Sequence, residues 1–422
     1  MGRVLKWLGI GLAVFALLLV AVAMALQHWL RTDDFRARVE KEAQAALGVP
    51  LKLGRLSIDL FPLPAVAVDQ VRVQTQPPLT VERVEARPVW TGLLAGRLEI
   101  ATLVVRKAVL PATSIAALGT AMQKKNKAAP RKQPTTPGAP IVWPRSVVLD
   151  DITWVDEKGQ RITVDAQADL GGDGYLDEAS FKVVAGRFVG THGKVERKAD
   201  HWPLRIDIGG GHIAGKLQLQ PGKAVGAQVL SGQLTTENVE VSALTAPSKP
   251  LTGKLQANTT LRSEFREPGQ VVDTLVTQTR FTVRDATIMG IDLAKAVETV
   301  GMNRGGITRL DTLAGQVATQ GKAAQLNNLV ASSGGLSATG NVAMSASRNL
   351  SGRLLVDLST TRGAVGVPLA VGGTVDEPSV TLTRGAIAGA ALGTLLAPGV
   401  GTAAGAAAGD GLGEKLRGLF GK

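Results

Sequence analysis

The stretch Leu51–Pro62, LKLGRLSIDLFP, carries the pattern that decides the fold of this 422-residue chain. Its apolar residues alternate with polar ones, at Leu51, Leu53, Leu56, Ile58 and Leu60. Because successive side chains of a strand point to opposite faces, a period of two predicts strands with one apolar face. The following Phe61–Pro64 breaks the alternation and predicts a turn.

The same alternation recurs downstream for most of the chain. It is found at Val66, Val68, Val71 and Val73, at Leu98 and Ile100, and in Ile162–Leu170, Phe181–Val184, Leu204–Ile208, Lys216–Leu219, Phe281–Ile288 and Leu354–Leu358. Helical patterns are scarce, and Asp292–Met302 is the clearest of them. Strands without helices between them predict an antiparallel meander, so we expect a mainly β protein with a few helices.

Upstream of the first strand, residues 32–47 read as a helix. Acidic residues stand in its first turn, Gly48 and Pro50 follow its end, and Phe35, Val39, Ala43 and Leu47 are spaced for one face. That face could lie on the membrane surface or pack on the following sheet. The pattern favours packing.

The amino terminus predicts a membrane anchor. Leu8–Leu26 contains no charge and would span roughly 28 Å as a helix. The residues expected to hold it in the bilayer are Leu8, Leu12, Phe15, Leu18, Val22 and Leu26, with Trp7 and Trp29 at the interfaces. A cleaved signal peptide is the alternative, because Ala21-Val22-Ala23 fits a small-x-small cleavage site. The length of the apolar segment favours an uncleaved anchor.

Two further segments differ from the strands in composition. Residues 121–142 are basic, rich in proline and nearly free of bulky apolar side chains, which predicts a linker or exposed loop, with contact to anionic headgroups as the functional alternative. Near the carboxyl end, glycines recur every four residues on both sides of Pro398-Gly399. This spacing predicts a helical hairpin, either packed on its own domain or inserted into a membrane or partner.

Composition and motifs argue against several classes of function. The net charge is +12, but aromatic residues make up only 4%, so nucleic-acid binding is not expected. There is no cysteine, the four histidines form no ligand pattern, and no catalytic motif is present. Gly210–Lys216 has the spacing of a phosphate-binding loop, but Leu217 replaces the required Ser or Thr and the context alternates like a strand. We therefore predict no enzyme, no cofactor and no metal site.

Several segments, taken in order, resemble the AsmA family. They are Ala46–Pro62, Ala101–Leu110, the glycine-led Gly209–Gly215, Met289–Leu293 and Gly372–Val380. The resemblance implies an inner-membrane anchor, a periplasmic body and a role in outer-membrane biogenesis and lipid homeostasis. TamB-like and YhdP-like relatives resemble bridge-type lipid-transfer proteins, in which a curved sheet forms a hydrophobic groove.

These observations give the following organisation: an anchor over 1–30, a helix and strands over 31–120, a linker over 121–142, a strand-rich body over 143–383 and a hairpin over 384–422. The body is expected to be an elongated, curved antiparallel sheet with an apolar concave face. Phospholipid held on that face is the first functional hypothesis, with an envelope protein binding the hairpin. A structural or assembly factor for outer-membrane proteins, with a closed sheet, is the second. The residues that line a groove cannot be assigned, because register is not visible in the sequence.

Overall fold

The structure is a computed structural model that describes residues 32–59, 65–89, 92, 99–128, 144–173, 175–224, 226–245, 250–266, 270–299, 305–358, 366–383 and 385–387. These residues form twenty strands and four helices, so the prediction of a mainly β protein with few helices is confirmed. The chain divides into two compact units, residues 1–190 and 191–422. The domain bounds drawn from the sequence stay a prediction.

In the first unit, a sheet of eight described strands is flanked by two helices. The elements are α1 (Asp33–Leu47), β1 (Leu51–Lys52), β2 (Leu56–Asp59), β3 (Ala65–Val73), β4 (Leu79–Pro88), β5 (Ile100–Pro111), α2 (Ala112–Ala128), β6 (Ser146–Val155), β7 (Arg161–Leu170) and β8 (Leu176–Gly186). Strands β1 and β2 both pair with β3, and the remaining strands pair in chain order. The pair β5–β6 is parallel and all others are antiparallel.

The parallel pair departs from the predicted antiparallel meander. Helix α2 follows β5 directly, and the chain then returns so that Ser146 lies beside Thr102 near the start of β5. Parallel neighbours need such a crossover connection, whereas antiparallel neighbours need only a turn. Alternation within each strand carries no information about this direction, so the sequence pattern could not show it.

Helix α1 packs on the sheet of the first unit. Its residues Ala43 and Leu47 lie against a buried cluster formed by Leu51, Val73 and Leu79. The helix ends where the Gly48 amide donates to a carbonyl one turn back, with Gly48 at a φ of +74°, a left-handed conformation that glycine adopts without a Cβ penalty. The predicted helix and its packing on the following sheet are both confirmed.

In the second unit, twelve described strands form an antiparallel meander. The elements are β9 (His192–Glu196), β10 (Trp202–Ile208), β11 (Gly211–Pro221), β12 (Gln228–Glu240), α3 (Val241–Thr245), β13 (Leu251–Phe265), β14 (Val276–Met289), α4 (Leu293–Glu298), β15 (Ile307–Gln320), β16 (Ala323–Ser333), β17 (Leu336–Met344), β18 (Leu350–Leu358), β19 (Val367–Gly373) and β20 (Pro378–Leu382). Each strand pairs antiparallel with the next.

The core of the second unit lies between strands β14–β20 and the short helices. Leu293 and Ala296 of α4, Val241 of α3 and Ala386 are buried there against the sheet. Asp292 caps α4 by accepting a hydrogen bond from the Lys295 amide at 3.0 Å. The helix predicted over Asp292–Met302 is therefore present as Leu293–Glu298, and residues 300–304 lie outside the described residues.

Several strands carry a β-bulge whose freed amide is bound by a side chain of the neighbouring strand. The Asn328 amide, at a residue with φ of +51°, donates to Asn341 Oδ1 at 2.9 Å. The Gly253 amide, at a bulge between β13 and β14, donates to Glu240 Oε1 at 2.8 Å. A bulge removes one amide from the ladder, and these side chains replace the lost acceptor.

Candidate functional site

One face of strands β9–β13 is apolar and incompletely covered. Cross-strand pairing places Val195, Leu204, Gly215 and Leu234 in one row, and residues that pair directly across a sheet share a face. With its neighbouring rows this surface, called here the second-unit apolar face, comprises Val195, Trp202, Leu204, Ile206, Ile208, Ile213, Leu217, Leu219, Leu230, Leu234 and Leu261. All of them are half-buried.

The opposite face of the same strands is polar. Arg205 pairs with Lys194, and Lys216 pairs with Gln233. All four side chains are exposed. The sheet therefore separates an apolar from a polar surface, as expected for strands with strict alternation.

The second-unit apolar face differs from the core formed by β14–β20. In that core, Val356 and Leu369 are completely buried beneath the short helices. Among the described residues of β9–β11, by contrast, no large apolar side chain is fully buried. Strands lie about 4.8 Å apart, so the less covered part from β9 to β11 is roughly 10 Å wide across the strands. Apolar surface left accessible on this scale is typical of a site for an apolar ligand or partner.

The first unit has a corresponding apolar face. One row crosses it from β2 to β8 and consists of Leu56, Val68, Val84, Val105, Leu149, Ala166 and Phe181. Beside this row, Val66 is 40% exposed and Trp154 is 47% exposed. These two large side chains mark where this face meets solvent.

The other face of the first unit holds a network of ion pairs centred on Glu85. Arg83 donates to Asp69 at 2.8 Å and to Glu85 at 2.9 Å, and it also pairs with Asp59. Glu85 accepts in addition from Arg87, at 3.3 Å. The network continues through Arg106, which pairs with Glu85 at 3.4 Å and with Asp150 across the parallel β5–β6 pair at 3.6 Å.

The environment of this network determines its chemistry. Burial by itself raises the pKa of Glu85, but the hydrogen bond from Arg83 and the charges of Arg106 and Arg83 outweigh it, so the pKa lies below the ordinary value. Burial likewise opposes the charged form of Arg83, and its carboxylate partners raise its pKa nevertheless. A carboxylate held ionised by arginines is a weak base, so the arrangement suits the joining of strands β2–β6 better than proton transfer.

The membrane-anchor residues predicted from the sequence lie outside the described residues. These are Leu8, Leu12, Phe15, Leu18, Val22, Leu26, Trp7 and Trp29. The predicted hairpin over 384–422 is described only at 385–387, and the linker over 121–142 only up to Ala128, where α2 ends. Among the helices that the structure describes, none has the length and apolar character needed to cross a bilayer.

The groove residues that the sequence left open are supplied by the register of the strands. The ion-pair network was not predicted from the sequence. A signal was present, because oppositely charged residues stand on successive strands: Asp69 and Arg83 on β3 and β4, and Glu85 and Arg106 on β4 and β5. The phosphate-loop spacing at Gly210–Lys216 lies at the β10–β11 turn and in strand β11, so no helix begins there to hold a phosphate.

Comparison with known proteins gives one match. The sequence model of the AsmA family matches residues 1–170. Residues 1–170 are thus an AsmA-family region. This region contains the predicted anchor, helix α1 and strands β1–β7, including the Glu85 network. No curated protein and no solved structure matches the chain. The resemblance of the segments beyond residue 170, and that to TamB-like and YhdP-like proteins, stays a prediction.

Proposed function

We propose that this protein is anchored in the bacterial inner membrane, with its bulk in the periplasm, and binds phospholipid acyl chains on the apolar faces of its sheets. Its role would be in outer-membrane biogenesis and lipid homeostasis. The observation that carries the proposal is the second-unit apolar face, whose large side chains stay half-buried on strands β9–β11. The AsmA-family match over residues 1–170 supports the envelope role.

The physical argument rests on the free energy of apolar surface. Each buried methylene contributes about 0.8 kcal/mol, so an acyl chain laid along such a face gains several kcal/mol while its headgroup stays in water. Ile206 and Leu217 would contact acyl carbons, and the width of the second-unit apolar face would select ligands. Binding and movement of this kind require no covalent step, and we accordingly propose no enzymatic activity.

A second function is favoured by the packed part of the second unit. Helix α4 packs on the apolar face of β15, β18 and β20, where Leu310, Val356 and Val380 form a buried core. If the whole face were closed in this way, the protein would be a structural or assembly factor for outer-membrane proteins. In that case the predicted carboxyl-terminal hairpin would bind an envelope protein partner.

Site-specific photocrosslinking of the full-length chain in cells tests the proposal. A photoreactive amino acid replaces Leu204 or Leu217 on the apolar face, and cells are grown with radioactive phosphate. We expect a labelled phospholipid adduct at both positions. Arg205 and Lys216 are the matched controls, because they lie next to these leucines on the same strands but face the opposite side.

A second variant separates lipid binding from loss of folding. With the probe at Leu204, Leu217→Glu is expected to reduce the lipid adduct strongly, whereas Lys216→Glu leaves it unchanged. Equal labelling from both faces would contradict the proposal. A protein adduct at Leu204 without lipid would favour the assembly factor instead.

A further inference from the structure

The polar face of the second unit contains a hollow of about 540 Å³. It lies over strands β12–β16, and the residues that line it are Gln233, Leu234, Thr235, Asn258, Thr259, Thr260, Gln278, Thr279, Arg280, Gln316, Val317, Ala318 and Asn327. Cross-strand pairing places Thr235, Asn258, Arg280, Gln316 and Asn327 in one row. This row is on the face opposite to the second-unit apolar face, as is the row of Gln233, Thr260, Gln278 and Ala318. Leu234, Thr259, Thr279 and Val317 form the row between these two, and that row belongs to the second-unit apolar face.

Exposed amides and hydroxyls dominate this row and the next. Gln233, Gln278 and Gln316 are exposed, and within the described residues their side-chain amides make no hydrogen bond. Thr235 donates to Asn258 Oδ1 at 3.4 Å, which leaves the Asn258 amide nitrogen as a donor. Each amide can donate and accept at once, which is also the hydrogen-bonding character of a sugar hydroxyl.

Three arginines add positive charge along the same face. Arg280 lies in the hollow, Arg262 pairs with Val276 four residues before it, and Arg284 follows four residues after it. Four strand residues span about 13 Å, so the three guanidinium groups form a line rather than a cluster. Among the described residues, none of the three forms an ion pair.

We propose that this hollow binds an acidic saccharide, a ligand that combines many hydroxyls with carboxylate or phosphate groups. The amides of Gln278, Gln316 and Asn258 would bind hydroxyls, and Arg280 would bind an acidic group bidentately. A bilayer surface fits less well, because every exposed residue in the hollow is polar. Nucleic acid fits less well too, because no aromatic side chain lines the hollow. This inference is independent of the proposed lipid site, which lies on the other face.

Calorimetric titration of the full-length chain in neutral-detergent micelles tests the proposal. The probes are a tetramer of galacturonic acid and the uncharged maltotetraose. We expect the acidic tetramer to bind and maltotetraose to bind far more weakly. Arg280→Gln is expected to weaken binding about tenfold or more, since a hydrogen bond to a charged group contributes about 1.5–3 kcal/mol. Gln316→Ala is expected to weaken it about threefold, consistent with a neutral hydrogen bond.

The matched control is Arg309→Gln, which removes the same charge from β15 outside the hollow. Its effect is expected to stay below about twofold, as for a remote screened charge. Equal losses in Arg280→Gln and Arg309→Gln would overturn the proposal, as would the absence of binding by the tetramer.

Vesicles distinguish the source of the saccharide. Phosphatidylcholine vesicles that display a uronic-acid glycolipid should bind if the natural ligand is a glycolipid headgroup. Binding of the free tetramer with equal affinity would point to a free glycan. Binding of plain phosphatidylglycerol vesicles with the same dependence on Arg280 would refute saccharide recognition and indicate a lipid surface.

Discussion

Replacement of Leu369 by alanine tests where the structure places the core of the second unit. Leu369 lies on β19 with no exposed surface, packed in the cluster that contains Val356 and Leu382. The change removes three carbon atoms, or about 2.4 kcal/mol of transfer free energy at about 0.8 kcal/mol each. A residual cavity adds to this, so we expect a loss of about 3–4 kcal/mol.

Leu355→Ala is the matched control, because Leu355 lies on the adjacent strand β18 but on the other face. It is 44% exposed, and no closed cavity would remain after its truncation. We expect a loss of about 1 kcal/mol or less. The two variants remove the same side-chain atoms from opposite faces of two adjacent strands.

Hydrogen exchange with mass spectrometry of the full-length chain measures both losses. A two-unit chain need not unfold in one step, so the opening free energy is read from peptides of β18–β20, with β3–β4 as an internal reference. We expect faster exchange in β18–β20 for Leu369→Ala only. If Leu355→Ala accelerates exchange as much as Leu369→Ala does, the assignment of the buried and exposed faces is wrong.

Three further predictions concern the polar contacts. Because the pKa of Glu85 is below its ordinary value of 4.5, the contribution of Glu85 to stability is present above that value and is lost as the pH falls through the lowered pKa. Glu85→Gln should therefore lower the urea midpoint of the first unit at pH 7 and make that midpoint decrease less steeply toward pH 3. An unchanged dependence of the midpoint on pH would contradict this prediction. Asn341→Ala should lower the free energy of unfolding by about 1 kcal/mol and speed amide exchange at Asn328, whereas Asn341→Asp, which keeps the acceptor oxygen, should preserve protection of that amide. Equal exchange in both variants would show that the side-chain hydrogen bond at this bulge is unimportant. Asp292→Ala should destabilise α4 by about 1 kcal/mol, which is measured as faster exchange of the Lys295 amide. Asp292→Asn is the control, because it retains a capping oxygen. Unchanged protection of this amide in the alanine variant would refute the role of Asp292 as a cap.

The two faces of the second unit give separate tests of the two proposals. Leu217→Glu affects the apolar side of β11, and Arg280→Gln affects the polar side of β14. If lipid binding and saccharide binding are independent, each variant should impair one activity and spare the other. A variant that impairs both would indicate misfolding, which the hydrogen-exchange experiment would detect.

Local pattern predicted the elements of this protein well. The alternation around Leu56 and Ile58 predicted strands, and β2 and β3 follow it. The four-residue spacing of Val39, Ala43 and Leu47 predicted α1 and the side on which it packs. These features are encoded within a few consecutive residues, because period and capping are local properties of the backbone.

The partners of each strand were not encoded locally. Alternation predicted that Leu204 and Leu217 each lie on an apolar face, but only register showed that both lie on the same face, since Leu204 pairs with Gly215, two residues before Leu217. The parallel β5–β6 pair, the Glu85 network and the row that contains Asn258 and Arg280 all join residues from different strands. Each depends on hydrogen-bond ladders between distant segments, and a slip of one residue would turn every side chain to the other face.

By itself, then, the sequence determined a strand-rich chain with one apolar face per strand, a helix before the first strand and a resemblance to a family that its first 170 residues match. The tertiary structure decided which apolar residues form a packed core around Leu369 and which stay half-buried around Leu217. The physical reason is that burial depends on what covers a face. Helix α4, which covers β15, β18 and β20, meets those strands only through the three-dimensional path of the chain.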